Sequence, residues 1–242
     1  MAQNRSTAVM AQRKEAPASL DYFPTPPWAV RAFCAAFFAG YPDRLLGSVW
    51  DPACGEGHML AGLADRFPIC FGSDVYDYGK GYPVGDFCDA TPLNFWQPGE
   101  KVDWIITNPP FNQAADFMRR ALALRPRGGV ALLMRSVWLE GGARWREIFN
   151  TIDRPDEVWI SAERIAMLKG RYDPAASTAT SYAWFIWHSP HEVAGPRPAG
   201  QSRLCWVPPG GKDFQLEADA LIGRWRQGMD EPGHDAQEAG LS

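Results

Sequence analysis

The sequence predicts an α/β domain built around a largely parallel sheet. Three observations carry this. Short apolar runs suited to buried strands recur at SVWD (48–51), ICFGSDV (69–75), VDWIIT (102–107) and VALLM (130–134). Segments with helical spacing of apolar residues lie between them. Strand and helix signals alternate at the spacing of βαβ units. The chain has 242 residues, 46% hydrophobic and 21% charged, which is enough apolar material for one real core.

Each element has its own warrant. WAVRAFCAAFFAG, from Trp28 to Gly40, reads as a mostly buried helix stopped by the glycine. SVWD is a strand, HMLAGLADRF a helix, and ICFGSDV a second strand. A turn-rich loop, YDYGKGYPVGDFCDATP, precedes VDWIIT. QAADFMRRALAL places Ala114, Phe117, Met118, Ala121 and Leu122 on one helical face, and RPRGG ends it. VALLM is a strand, ARWREIFN a short helix, and EVWIS and SYAWFIWH are late strands. After Ser189 the chain turns rich in Pro and Gly, with a helix expected from Asp213 to Arg226 and a polar tail beyond. The expected organisation is a disordered lead-in at 1–19, a catalytic domain at 20–210, and a short helix with a disordered tail at 211–242.

Composition also excludes. The net charge is −4, so any nucleic-acid contact must come from a local basic face. The five cysteines form no CxxC pair and the four histidines no HExxH, which argues for reduced thiols in the cytoplasm and no metal site. No uninterrupted apolar run is long enough to span a bilayer, so no membrane partner is expected. Oligomeric state is not legible.

Open parallel sheets bind ligands beyond the carboxyl ends of their strands, so the residues just after each strand matter most. After the first comes DPACGEG, where two glycines allow a tight turn and close ligand approach. An ordinary strand-to-helix turn would look similar. Asp51, however, puts a carboxylate where a cationic amine could sit. After the second strand Asp74 could accept ribose hydroxyls, with Asp77 a near competitor and a solvated loop acid the plain alternative. In GDF, Asp86 could meet an adenine amino group with Phe87 beside the ring, or be a turn residue. VDWIIT runs into Asn108-Pro109-Pro110-Phe111. Pro cannot sit inside a central strand, so this is a rigid terminus. It offers carbonyl and side-chain acceptors and one flat ring to a planar, amine-bearing substrate.

DPACGEG followed by TNPPF, with DYFPTPPW (21–28) upstream, resembles the S-adenosylmethionine-dependent DNA methyltransferases of the N6-adenine type. The motif order is similar to the family's gamma arrangement, and the resemblance spans roughly Asp21 to Trp187. It implies a Rossmann-like class I methyltransferase fold: a central, mostly parallel seven-stranded sheet with an antiparallel C-terminal hairpin. It implies S-adenosyl-L-methionine as cofactor and DNA as substrate. Carried over by match, Tyr22, Phe23, Thr25 and Pro26 would line the methionine end of the cofactor. Asp51, Ala53, Cys54 and Gly55 would hold its amino acid part, Asp74 its ribose, and Asp86 and Phe87 its adenine. Asn108, Pro109, Pro110 and Phe111 would form the catalytic pocket for a flipped-out adenine, with Phe111 stacking on the base.

RIAMLKGRYDPAASTATSYAWFIW looks like the family's late loop and hairpin. Lys169 and Arg171, with Arg135, Arg144 and Arg146, could meet phosphates or be ordinary surface charge. Trp184 could wall the base pocket, but a strand-borne Trp is more often core. Little chain follows Trp187, so no large recognition domain is expected, which resembles compact phage- or prophage-type orphan enzymes. Two rivals use the sequence differently. One is an RNA adenine or protein glutamine methylator with the same NPP chemistry; the acidic charge suits a protein substrate better than DNA. The other is an inactive binding module, against which the intact Asn108 and both glycines stand.

Overall fold

The computed structural model describes residues 21–41, 46–89, 101–189 and 198–222. A seven-stranded sheet organises them: β1 (Ser48–Asp51), β2 (Ile69–Gly72), β3 (Trp104–Thr107), β4 (Gly129–Arg135), β5 (Glu157–Ser161), β6 (Tyr182–His188) and β7 (Arg203–Val207). Their order is β2-β1-β3-β4-β6-β5-β7. Neighbours pair in parallel except at β6, which runs antiparallel to both β4 and β5. The fold is Rossmann-like α/β, mixed but mostly parallel, with the expected antiparallel pairing late in the chain.

Central strands are buried on both faces, and their side chains alternate between two cores with period two. Trp104, Ile106, Ala131, Leu133, Trp184 and Ile186 face one core. Ile105, Val130, Leu132, Met134, Phe185 and Trp187 face the other. The first core is covered by α1 (Pro27–Ala39) and α2 (His58–Leu63). Pro27 opens α1 at a position where a missing N–H costs nothing. Its phenylalanines then enter a tryptophan layer: Phe33 stacks on Trp184 at 4.2 Å, and Phe37 meets Trp104 and Trp159 edge-on at 5.6 and 5.7 Å. Trp184 is therefore core. The second core is covered by α3 (Ala114–Leu124), through Phe117, Met118 and Ala121.

Several expectations need correction. The second strand ends at Gly72, three residues early, and Ser73 and Asp74 instead accept the Cys54 and Gly55 N–H groups of the glycine loop. The helix expected over 58–67 holds its regular part only to Leu63. Gly40 ends α1 in an ordinary right-handed conformation, not a left-handed cap. ARWREIFN becomes a short helical segment, α4 (Gly142–Arg144), that widens into a π-turn at Trp145–Phe149. Over the described part of 213–226 the expected helix is replaced by two 3-10 turns, Gly211–Phe214 and Glu217–Leu221. The Asp219 carboxylate accepts the Leu216 N–H and binds Arg31 of α1 through both oxygens, which tightens the second turn. The seventh strand that the resemblance implied falls at β7, where the residues themselves suggested no strand. The lead-in at 1–19 and the tail beyond 222 lie outside the described residues. Among those residues, no helix is long and apolar enough to cross a membrane.

Candidate active site

The sheet order turns around between β1 and β3, with β2 on one side and β4 on the other. Such a switch point opens a crevice at the carboxyl ends of the strands. One cavity occupies it, lined by the segment from Asp21 to Thr25, the loop after β1, Asp74, Asp86, Phe87, Asn108 and Pro110.

Asp51 ends β1 inside this crevice at 1% exposure. Its Oδ1 accepts hydrogen bonds from the Thr107 hydroxyl at 2.6 Å and the Ala53 N–H at 3.2 Å. Burial pushes its carboxyl up to about 7, against the pull of those two donors. Asp74 binds the next turn: its two oxygens accept the Gly55 N–H at 2.8 Å and the Tyr76 N–H at 3.1 Å. Burial raises its pKa too, against these backbone donors. Asp74, rather than its competitor Asp77, lines the cavity. Gly55 adopts a left-handed φ of +54° directly beneath the Tyr22 ring. Cys54 is buried and its N–H reaches the Ser73 carbonyl at 3.0 Å.

The upstream motif folds over the glycine loop. Tyr22 hydrogen-bonds Glu56 Oε2 at 3.2 Å and meets His58 Nδ1 at 3.3 Å. Asp21 accepts the Phe111 N–H at 2.7 Å, joining this segment to the end of β3. Asn108 is the centre of the junction. Its Nδ2 donates toward the Phe23 carbonyl at 3.0 Å and Thr25 Oγ1 at 3.1 Å, with Met167 Sδ at 3.5 Å. Its Oδ1 is buried and has no hydrogen-bond partner among the described residues.

Most of the residues singled out from sequence thus meet in one place. Tyr22, Phe23, Thr25, Asp51, Ala53, Cys54, Asp74, Asp86, Phe87, Asn108 and Pro110 all line the cavity. Pro26, Gly55 and Pro109 neighbour lining residues in sequence but do not line it themselves. Asp86 is also a turn former, its Oδ1 accepting the Cys88 N–H at 2.8 Å. Phe87 is wedged between Trp50 and Phe117 at 5.2 and 5.0 Å. Phe111 stands outside the cavity, beside Phe23 at 5.1 Å and Tyr182 at 6.0 Å.

The five basic residues divide. Arg135 lies against Phe111, its guanidinium 4.1 Å from the ring centre. Lys169 stands in a tight turn whose Gly170 N–H donates to the Tyr22 carbonyl at 2.9 Å, so the turn sits beside the site. Arg171, in the same turn, is exposed and 3.8 Å from Asp173. Arg144 donates to the Glu140 carbonyl at 2.9 Å, and Arg146 is exposed in the π-turn.

Sequence reasoning missed Asp21, His58, Tyr78 and Met167. Burial pushes the His58 imidazole down to about 4, and its Nε2 has no partner among the described residues. Asp21 opens the DYFPTPPW motif and was the one legible signal. Met167 reaches the site from a loop far along the chain.

No protein-family model matches the chain, and no curated protein matches it in sequence. Among solved structures it is similar to the methyltransferase subunit of a type I restriction-modification system from Streptococcus thermophilus. That similarity has 14% identity over 83% of this chain and 53% of that one, with a TM-score of 0.47. It is also similar to a Pyrococcus horikoshii protein named "putative RNA methyltransferase" (15% identity, 73% and 91% covered, TM-score 0.47). A third is an S-adenosylmethionine-bound amino pentose methyltransferase from Micromonospora echinaspora (20% identity, 45% and 50% covered, TM-score 0.33). The chain spans about half the length of the Streptococcus subunit. At these identities and scores the likenesses carry no function across.

Proposed function

We propose that this chain is an S-adenosylmethionine-dependent methyltransferase acting on the exocyclic N6 amine of a flipped-out adenine in DNA. The observation that carries the reading is the Asn108 amide. Its nitrogen is committed to Phe23, Thr25 and Met167, while its oxygen is buried and unpartnered. A buried acceptor without a donor costs about 1–3 kcal/mol, so the fold holds a place for an incoming N–H. Asn108 Oδ1 and the Pro109 carbonyl would accept the two protons of an amino group whose lone pair is otherwise delocalised into a ring. That draws the nitrogen toward a tetrahedral, nucleophilic geometry. The chain's contribution is positioning and fixed acceptors.

The cavity suits the cofactor. Asp51 offers a buried carboxylate to a cationic amine, and the glycine loop lets backbone approach closely. Asp74 serves the ribose, Asp86 and Phe87 the adenine, and Tyr22, Phe23, Thr25 and Pro26 the methionine end, with Ala53, Cys54 and Gly55 beside Asp51. When bound, the cofactor supplies an electrophilic methyl group. Phe111 serves as the base platform, and Lys169, Arg171, Arg144 and Arg146 would meet phosphates. Residues 20–210 form the catalytic unit.

Incubation with methyl-labelled cofactor and DNA lacking adenine methylation tests this. Label is expected in DNA, on N6-methyladenine. Label in RNA or protein with none in DNA would replace the substrate with that of the rival; of these two, the net charge of −4 suits the protein substrate.

Asp51 makes a pH prediction. Its raised pKa means the free protein holds it protonated below about 7. A cationic amine needs the carboxylate. Affinity for S-adenosylhomocysteine is therefore expected to fall as pH drops below 7, by roughly tenfold per unit at the limit. Asp51→Asn is expected to bind weakly and lose this dependence. A wild-type affinity flat from pH 8 to 5.5 would remove Asp51 from the role.

A further inference from the structure

Arg135 ends β4, and the β4–β6 register sets it opposite Tyr182, the first residue of β6. From there its guanidinium reaches over the end of β3. It sits 4.1 Å from the Phe111 ring centre and 5.9 Å from that of Phe23. Guanidinium is planar, delocalised and weakly hydrated, so it stacks on aromatic faces as a base does. At 4.1 Å nothing planar fits between it and Phe111.

Arg31, also half-buried, is tied down differently. It is clamped by the Asp219 and Asp65 carboxylates. Among the described residues no carboxylate pairs with Arg135, and its Nε is buried without an acceptor. Its contacts are the rings and the Tyr182 hydroxyl. Leaving Phe111 would thus break no ion pair, and an acceptor met elsewhere would satisfy the orphaned Nε.

We propose that Arg135 stands in for the target base: in the free protein it occupies the face of Phe111 on which the base stacks, and base entry displaces it. This rests on the reading of Phe111 as the base platform. It changes the part expected of Arg135 from a simple phosphate contact to a competitor for the platform.

The test uses labelled adenosine, which carries no phosphate, with the cofactor site saturated by S-adenosylhomocysteine. Equilibrium dialysis compares wild type, Arg135→Ala, Arg135→Lys and Phe111→Ala, with thermal melts reporting folding. Arg135→Ala is expected to bind adenosine about two- to fivefold tighter, the competing contact being a partly exposed cation–π interaction. Arg135→Lys should fall between it and wild type, and also serves if the alanine variant does not fold. Phe111→Ala in the Arg135→Ala background should remove the gain. Unchanged or weaker adenosine binding in both Arg135 variants overturns the proposal, as does a gain that survives loss of Phe111. If wild type still labels DNA, that result fells the displacement alone. If no variant binds adenosine and DNA takes no label, the substrate assignment falls with it.

Discussion

Replacing Asn108 with alanine is expected to lower methyl transfer to DNA by about 10²–10³-fold, the usual loss for one preorganised group facing the reacting atoms. Affinity for S-adenosylhomocysteine should stay within a few-fold of wild type, because Asp51, Asp74 and the glycine loop hold their own hydrogen bonds without Asn108. The split between turnover and binding is the informative part. A residue that merely braced the cavity would move both together. Bracing is real here: Asn108 Nδ2 binds the Phe23 carbonyl and Thr25 Oγ1, so its loss should also cost on the order of 1 kcal/mol of stability. Asn108→Asp separates the two roles, since it keeps an oxygen toward the substrate while losing the donor that fixes its orientation. Its turnover should be depressed as well, because the ionised group repels the Phe23 carbonyl and can rotate. Single-turnover rates with DNA and isothermal titration with S-adenosylhomocysteine measure the two quantities. A rate within threefold of wild type in Asn108→Ala would sink the pocket assignment.

The strands that build this site were legible because buried strands advertise themselves. SVWD and EVWIS match β1 and β5 in both boundaries, and VDWIIT ends where β3 ends. β7 was hidden for the opposite reason. RLCWV lies at the sheet edge with most of its side chains exposed, and a Pro- and Gly-rich stretch precedes it. Its stability comes from pairing with β5, 46 residues earlier at the Glu157–Arg203 register, which no local pattern records. The C-terminal helix failed similarly: Asp219 answers to Arg31 across 188 positions and to its own Leu216 N–H. Local propensity is a weak prior against such a tertiary tie.

The site followed the same rule. Which residues would gather could be read from motifs at strand ends, because the sheet itself does the gathering. How each side chain is held could not. Asn108's orientation depends on Thr25 and Met167, far away on either side in sequence. Arg135 carries the same charge whether it faces a phosphate or a ring, so its contact with Phe111 has no sequence signature.

Gly55→Ala is the second change expected to have a large effect, and its cause is geometric. Gly55 has a φ of +54°, where an L side chain is strained. A Cβ there would also lie 2.3 Å from the Tyr22 ring. The ring has little room to retreat. Its hydroxyl is held by Glu56 and His58, its face tilts against Tyr78 at 4.7 Å, and its own carbonyl accepts the Gly170 N–H. Strain of this kind costs about 1–3 kcal/mol, and the clash adds to it by driving Tyr22 into the cavity it lines or away from it. Melting temperature should fall by several degrees, and affinity for S-adenosylhomocysteine by tenfold or more. A double-variant cycle divides strain from clash. In a Tyr22→Ala background the strain persists while the clash is gone, so Gly55→Ala should cost at least about 0.5 kcal/mol less there than in wild type, the scale of coupling between touching residues. Equal costs in both backgrounds would mean that the backbone conformation alone makes glycine necessary, and that Tyr22 does not rest on the glycine loop in solution.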